Sequence, residues 1–113
     1  MKIINKTKNT ILAQEAIVAR TVLKRIKGLL GRDDFKQGEA LIIMPCKSIH
    51  TFFMPFPIDV LFVNKQNQIL KAIPSLRPGR LTYIYFNAAF VIELPSGTIQ
   101  ASRTSQGDTI SIE

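Results

Sequence analysis

Apolar positions along this chain fall into short runs separated by turn residues, the pattern of antiparallel strands. Residues 2–5 and 11–19 read as strands joined through the polar Lys6-Thr7-Lys8-Asn9-Thr10. The period then changes. Val22, Leu23, Ile26, Leu29 and Leu30 recur at three- and four-residue steps, which predicts an amphipathic helix over 20–31 with Arg20, Lys24 and Lys27 on its other face. Thr21 is placed to cap its start and Gly31 its end, while Gly28 inside it costs ~1 kcal/mol relative to alanine. Beyond Gly38 the pattern is mostly β, with strands expected over 40–44, 48–53, 58–64, 69–73 and 109–112. Residues 83–94 hold one or two more, of which 88–94 is the stronger. Lys65-Gln66-Asn67-Gln68 reads as a hairpin turn, and residues 74–80, with two prolines, Gly79, Arg77 and Arg80, as an exposed loop. Pro95-Ser96-Gly97 ends one strand and Gly107-Asp108 introduces the last. The expected architecture is mainly β (α+β): a compact antiparallel β-sandwich or barrel with one helix covering an opening or edge.

Length and composition agree with one domain spanning 1–113. The chain has 113 residues, 46% of them hydrophobic, and a domain of this size buries roughly 65% of its unfolded surface. No window holds the run of apolar residues that a membrane span requires. Met1-Lys2-Ile3-Ile4-Asn5-Lys6 lacks the apolar run of a secretory signal. A lone cysteine, Cys46, permits no internal disulfide, and a reducing, cytoplasmic setting fits best. The net charge of +7 is lopsided: residues 1–36 carry nine Lys/Arg against three acids, residues 37–113 six against five. Such an excess either keeps a solvated face soluble or attracts nucleic acid or anionic lipid.

The stretch Pro45-Cys46-Lys47-Ser48-Ile49-His50-Thr51-Phe52-Phe53-Met54-Pro55-Phe56-Pro57-Ile58-Asp59 concentrates the candidate chemistry. It holds the single cysteine and the single histidine. In a strand, Cys46, Ser48, His50 and Phe52 share one face and Lys47, Ile49, Thr51 and Phe53 the other. Cys46 and His50 would then stand roughly 13 Å apart, too far for a thiol and its base, which need about 3 Å. Asp59 is the better partner for His50. A hairpin through 54–57 makes it a diagonal, same-face neighbour, although a register slip of one residue sends it to the opposite face. Glu93 interrupts an apolar strand. It either faces solvent on an edge strand or joins His50 and Asp59 in a shared pocket, where a buried carboxylate needs a partner. Zinc finds too few ligands, and no glycine pattern for phosphate binding is present, so no metal and no cofactor are expected.

Several blocks occur in the order of one known pattern: Lys27-Gly28-Leu29-Leu30-Gly31-Arg32, Gly38-Glu39-Ala40-Leu41, His50-Thr51-Phe52-Phe53-Met54, Pro57-Ile58-Asp59-Val60-Leu61-Phe62, Val91-Ile92-Glu93-Leu94-Pro95-Ser96-Gly97 and Gly107-Asp108. Over residues 10–112 the chain resembles the domain of unknown function 192 family. The resemblance implies a small β-rich, barrel-like sandwich and imports no activity. Many relatives look exported or lipid-anchored; without such a leader here, the cytoplasm remains the expectation. The resemblance favours His50, Asp59 and Glu93 over Cys46 as shared polar positions.

Three readings follow. The first is a non-catalytic module that binds a small molecule in a pocket lined by His50, Phe52, Met54, Asp59 and Glu93, with Cys46 nearby. The second is an acid–base or hydrolytic enzyme in which Asp59 orients His50. The third is nucleic-acid binding through Arg20, Lys24, Arg25, Lys27 and Arg32, a run without the interleaved aromatic residues of a stacking platform. A protein partner is a further option should none of these ligands bind.

Overall fold

The computed structural model describes residues 1–20 and 34–113, so the helix expected over 20–31 lies outside the described residues except for Arg20. The described residues form eight strands and one helical turn: β1 (Ile3–Asn5), β2 (Thr10–Ala13), β3 (Glu15–Ala19), β4 (Glu39–Ile43), β5 (Ile58–Val63), β6 (Ile69–Leu76), β7 (Phe90–Pro95), α1 (Thr98–Ala101) and β8 (Ile110–Ile112). They make two sheets, one ordered β2-β1-β8 and the other β3-β4-β7-β5-β6. The mainly β expectation holds.

Continuous apolar sequence explains the centre of the larger sheet. Every residue of β5 and β7 is buried, as strands covered on both faces require. Alternation divides their side chains between two apolar layers. Leu61, Val63, Phe90, Ile92 and Leu94 face Ile3, Leu12 and Ile110 of the smaller sheet. Val60, Phe62 and Val91 face the opposite way, with Leu41, Ile43, Ile49 and Met54. Burying a side chain of this size contributes about 1.5–3 kcal/mol relative to leaving it in water.

Four expectations need correction. The run over 11–19 is two strands, not one. Gln14 and Glu15 both donate their N–H to the Gly38 carbonyl at 2.9 Å, and the chain passes there from the small sheet to the large. The larger sheet is not wholly antiparallel, because β3 runs parallel to β4. Residues 48–53 form no strand beyond a single bridge between His50 and Leu81. The expected hairpin with 58–64 is blocked because β5 already lies between β7 and β6. Finally, β6 runs on to Leu76 through Pro74, which an edge strand tolerates.

The three-stranded sheet joins the first strand to the last. Ile3 pairs with Ile112 and Asn5 with Ile110. A buried polar knot holds the turn before β8. Asp108 accepts from Asn5 Nδ2 at 2.9 Å, from the Ser105 N–H at 3.0 Å and from Lys8 Nζ at 3.0 Å. Burial opposes ionisation of Asp108, but the bonds from Asn5 and Ser105 and the Lys8 ammonium outweigh it and hold the carboxyl below its usual range.

A carboxyl depressed in the folded state stabilises above its unfolded pKa, and that stability is lost as pH falls through the folded pKa. Asp108→Asn should therefore lower urea stability by about 2 kcal/mol at neutral pH, the scale of hydrogen bonds to a charged group. The difference should vanish in acid, where both side chains are neutral; a deficit of the same size there would assign the loss to shape instead.

Candidate functional site

Segments 46–52 and 79–85 have no place in either sheet, so they pair with each other. The Thr51 N–H donates to the Arg80 carbonyl at 2.8 Å, Thr82 N–H to the Ile49 carbonyl at 3.0 Å and Tyr85 N–H to the Lys47 carbonyl at 2.8 Å. Thr51, fully buried, ties the far end: its hydroxyl donates to the Arg77 carbonyl at 2.6 Å and accepts from the Arg80 N–H at 2.9 Å. At the near end, Lys47 Nζ donates to the carbonyls of Phe86 and Ala88. Ile49 and Thr51 point inward. His50 and Phe52 therefore point out, the reverse of a pocket-lining arrangement.

His50 is exposed on the outer face. Its ring stacks on Phe52 with centroids 5.0 Å apart, and Nδ1 accepts from the Phe52 N–H at 3.3 Å. Cys46 is half-buried, and its thiol donates to the Ser48 carbonyl at 3.1 Å. Met54 packs into the second apolar layer. Arg20 is exposed, whereas Lys24, Arg25, Lys27 and Arg32 lie outside the described residues.

The two candidate carboxylates stand on opposite faces of the larger sheet. Asp59 pairs with Leu94, and Glu93 with Val60; Leu94 belongs to the first apolar layer and Val60 to the second. Asp59 is fully buried and accepts from two backbone donors: the Ser75 N–H on Oδ1 and the Ile99 N–H on Oδ2, both at 2.8 Å. The second bond caps the single turn α1, whose own cap position, Gly97 at φ +98°, offers no side chain. Asp59 thus joins β5, the end of β6 and the start of α1. It does not meet His50, and the structure does not assemble the three-residue pocket.

Glu93 lies on the central strand between Leu41 of β4 and Val60 of β5. Among the described residues its carboxylate has no hydrogen bond and no ion pair. Cys46 and Tyr85 are the titratable side chains that border its layer. Desolvation by burial pushes its pKa from 4.5 up to about 7.

What sequence reasoning missed is the outer surface of the paired segments. Phe53 is 91% exposed, Tyr83 84%, Phe86 75% and Leu81 70%, with Ile84 and Phe52 exposed beside them. Phe53 also sits at φ +66°, a left-handed conformation that a bulky residue rarely adopts. The sequence signal was present as an apolar run over 81–86 that forms no strand. Beside Phe86 and Lys47, Asn64, Lys65, Gln66 and Asn87 line an open polar cleft of about 430 Å³.

The model of the family described as uncharacterized ACR, DUF192, matches residues 3–112. The chain belongs to this family. A UPF0127 protein of Thermococcus sibiricus is 31% identical over 98% of this chain and 74% of its own length. A UPF0127 protein of Pyrococcus horikoshii is 32% identical over 96% of each. A crystal structure of a protein of unknown function from Novosphingobium aromaticivorans superposes with a TM-score of 0.85 at 18% identity, covering 99% of this chain and 84% of the other. Another from Sinorhizobium meliloti, described as a candidate transcription regulator, gives 0.82 at 18% identity over 97% and 89%. These two superpositions show a shared fold. No helix among the described residues is long and apolar enough to cross a membrane.

The buried Glu93 yields a pH test of the opposite sign to Asp108. A carboxyl whose pKa is raised on folding favours the folded state when protonated, so stability falls as pH rises from 4.5 to about 7. The shift corresponds to about 3 kcal/mol. Urea denaturation across that window should show the fall in the wild type and a flatter profile in Glu93→Gln. The variant should be the more stable of the two at pH 8; parallel profiles would mean that Glu93 does not titrate there.

Proposed function

We propose that this chain is a non-catalytic binding module whose recognition surface is the outer face of the paired segments 46–53 and 77–86. One observation carries the reading: six large apolar side chains stand exposed on two neighbouring segments. Contiguous apolar surface on a soluble domain marks an interaction site more often than it marks nothing. His50 and Phe52, named by the sequence, belong to this surface. Met54 and Glu93 lie in the apolar layer beneath it, whereas Asp59 stands on the other face of the sheet.

Phe53 adds a second support. A ring exposed to water gives little to folding, and its positive φ costs of order 1 kcal/mol or more. Asn9 and Asn67 occupy the same left-handed region in this chain, and asparagine tolerates it well. A residue that harms stability without packing is best explained by what it touches outside the protein. An acid–base role for His50 lacks its orienting carboxylate, because Asp59 is held by Ser75 and Ile99. The description of the Sinorhizobium relative keeps nucleic acid among the ligands to test.

Phe53→Asn should melt at or above the wild-type temperature, whereas removal of a packed phenylalanine would cost about 3–5 kcal/mol. Backbone-amide titration should use zinc, short oligosaccharides, nucleotides, a DNA duplex and lipid bicelles. Shifts should gather on 46–53 and 77–86 with one class of titrant and disappear in the double variant Phe53→Asn/Tyr83→Asn. Shifts confined to Arg20 and its basic neighbours with DNA alone, or none on the paired segments with any titrant, would overturn the proposal.

A further inference from the structure

We infer that the partner of this surface is an anionic lipid bilayer, with the exposed rings and aliphatic side chains entering the interface and the flanking basic residues meeting lipid phosphates. The inference rests on the binding-module reading above and names its partner.

Charge distribution points to this chemistry. Residues 48–58 and 81–92 contain no Lys or Arg, and the one acid between 46 and 88 is the buried Asp59. The same stretch carries five cations: Lys47, Lys65, Lys71, Arg77 and Arg80. Cations stand at both ends of the paired segments. Arg77 and Arg80 are tied to Thr51 at one end, and Lys47 is bound to the Phe86 carbonyl at the other. Lys65 lines the polar cleft beside Phe86. Uncharged tips with a basic border match the layering of a bilayer surface, with hydrocarbon below and phosphate above.

The side-chain types favour lipid over a nucleic acid. Base stacking uses ring faces, whereas Leu81 and Ile84 are aliphatic and stand exposed beside the rings. Tyrosine and phenylalanine are at home at the interface, where apolar bodies sit below the headgroups. Exposures of 70–91% at Phe53, Leu81, Tyr83 and Phe86 also mean that these four side chains stand clear of the surface instead of lining a groove. Free-standing side chains suit a soft solvent that closes around them.

Phe53→Trp supplies a reporter, because the chain contains no tryptophan. Vesicles of phosphatidylcholine with about 30% phosphatidylglycerol should pellet the protein and shift the emission of the Phe53→Trp variant to shorter wavelength. Pure phosphatidylcholine should bind roughly tenfold less or weaker. Phe53→Asn/Tyr83→Asn should bind at least roughly tenfold more weakly. Arg77→Gln/Arg80→Gln should lose roughly tenfold or more and with it much of the sensitivity to salt. Lipid docking is overturned if the wild type does not pellet, if the Phe53→Asn/Tyr83→Asn variant pellets equally, or if pelleting leaves the tryptophan emission unmoved, the mark of adhesion by charge alone. Should the amide titration move 46–53 and 77–86 with an oligonucleotide or oligosaccharide while vesicles bind nothing, the lipid assignment falls and the binding module stands. When neither vesicles nor any titrant touch those segments, both fall.

Discussion

The constraint on which this fold depends is the double burial of β5 and β7 at the centre of the larger sheet. Each offers six buried residues, and each has both of its hydrogen-bonding edges filled by a neighbouring strand. Backbone groups at that depth have no water to bond, so the ladder must be complete. The segments that follow β4 and precede β7 are thereby excluded from pairing with these two strands. They satisfy their own backbone groups by pairing with each other, with Thr51 closing the far end. The exposed aromatic surface is a consequence of that exclusion.

The three buried carboxylates among the described residues show how differently one chemical group is used. Asp59 takes two backbone N–H donors and joins three elements. Asp108 sits in a polar knot with an ammonium ion and stays ionised more readily than usual. Glu93 receives nothing among the described residues and holds its proton towards neutrality. Burial alone does not set the outcome, because the donors within reach decide whether the charged or the neutral form is favoured. The second apolar layer thus contains a site whose charge depends on pH, behind the surface that the paired segments present.

On the proposed recognition surface, stability and recognition pull against each other. The inner residues Ile49 and Thr51 pack and bond as structural residues do, while their neighbours Phe52 and Phe53 face water. Phe53 combines an unfavourable backbone conformation with an unburied ring. Features of this kind persist where contact with something outside the chain outweighs the cost. In the docking we infer, the basic border supplies long-range attraction and the apolar tips short-range affinity once contact is made.

By itself the sequence determined the strand-rich class and the positions of β1, β4, β5 and β7. Those follow from local runs of apolar residues, whose burial almost any tertiary arrangement must satisfy. It also singled out Asp59 and Glu93 as acids in apolar strands. Only the tertiary structure decided which face each acid takes, because pairing Asp59 with Leu94 and Val60 with Glu93 fixes alternate residues on opposite sides. It likewise decided that 48–53 leaves the sheet, that Gln14 marks a corner between sheets, and that the apolar run over 81–86 faces water. Exposure is a property of what covers a residue, and no pattern along the chain records that covering.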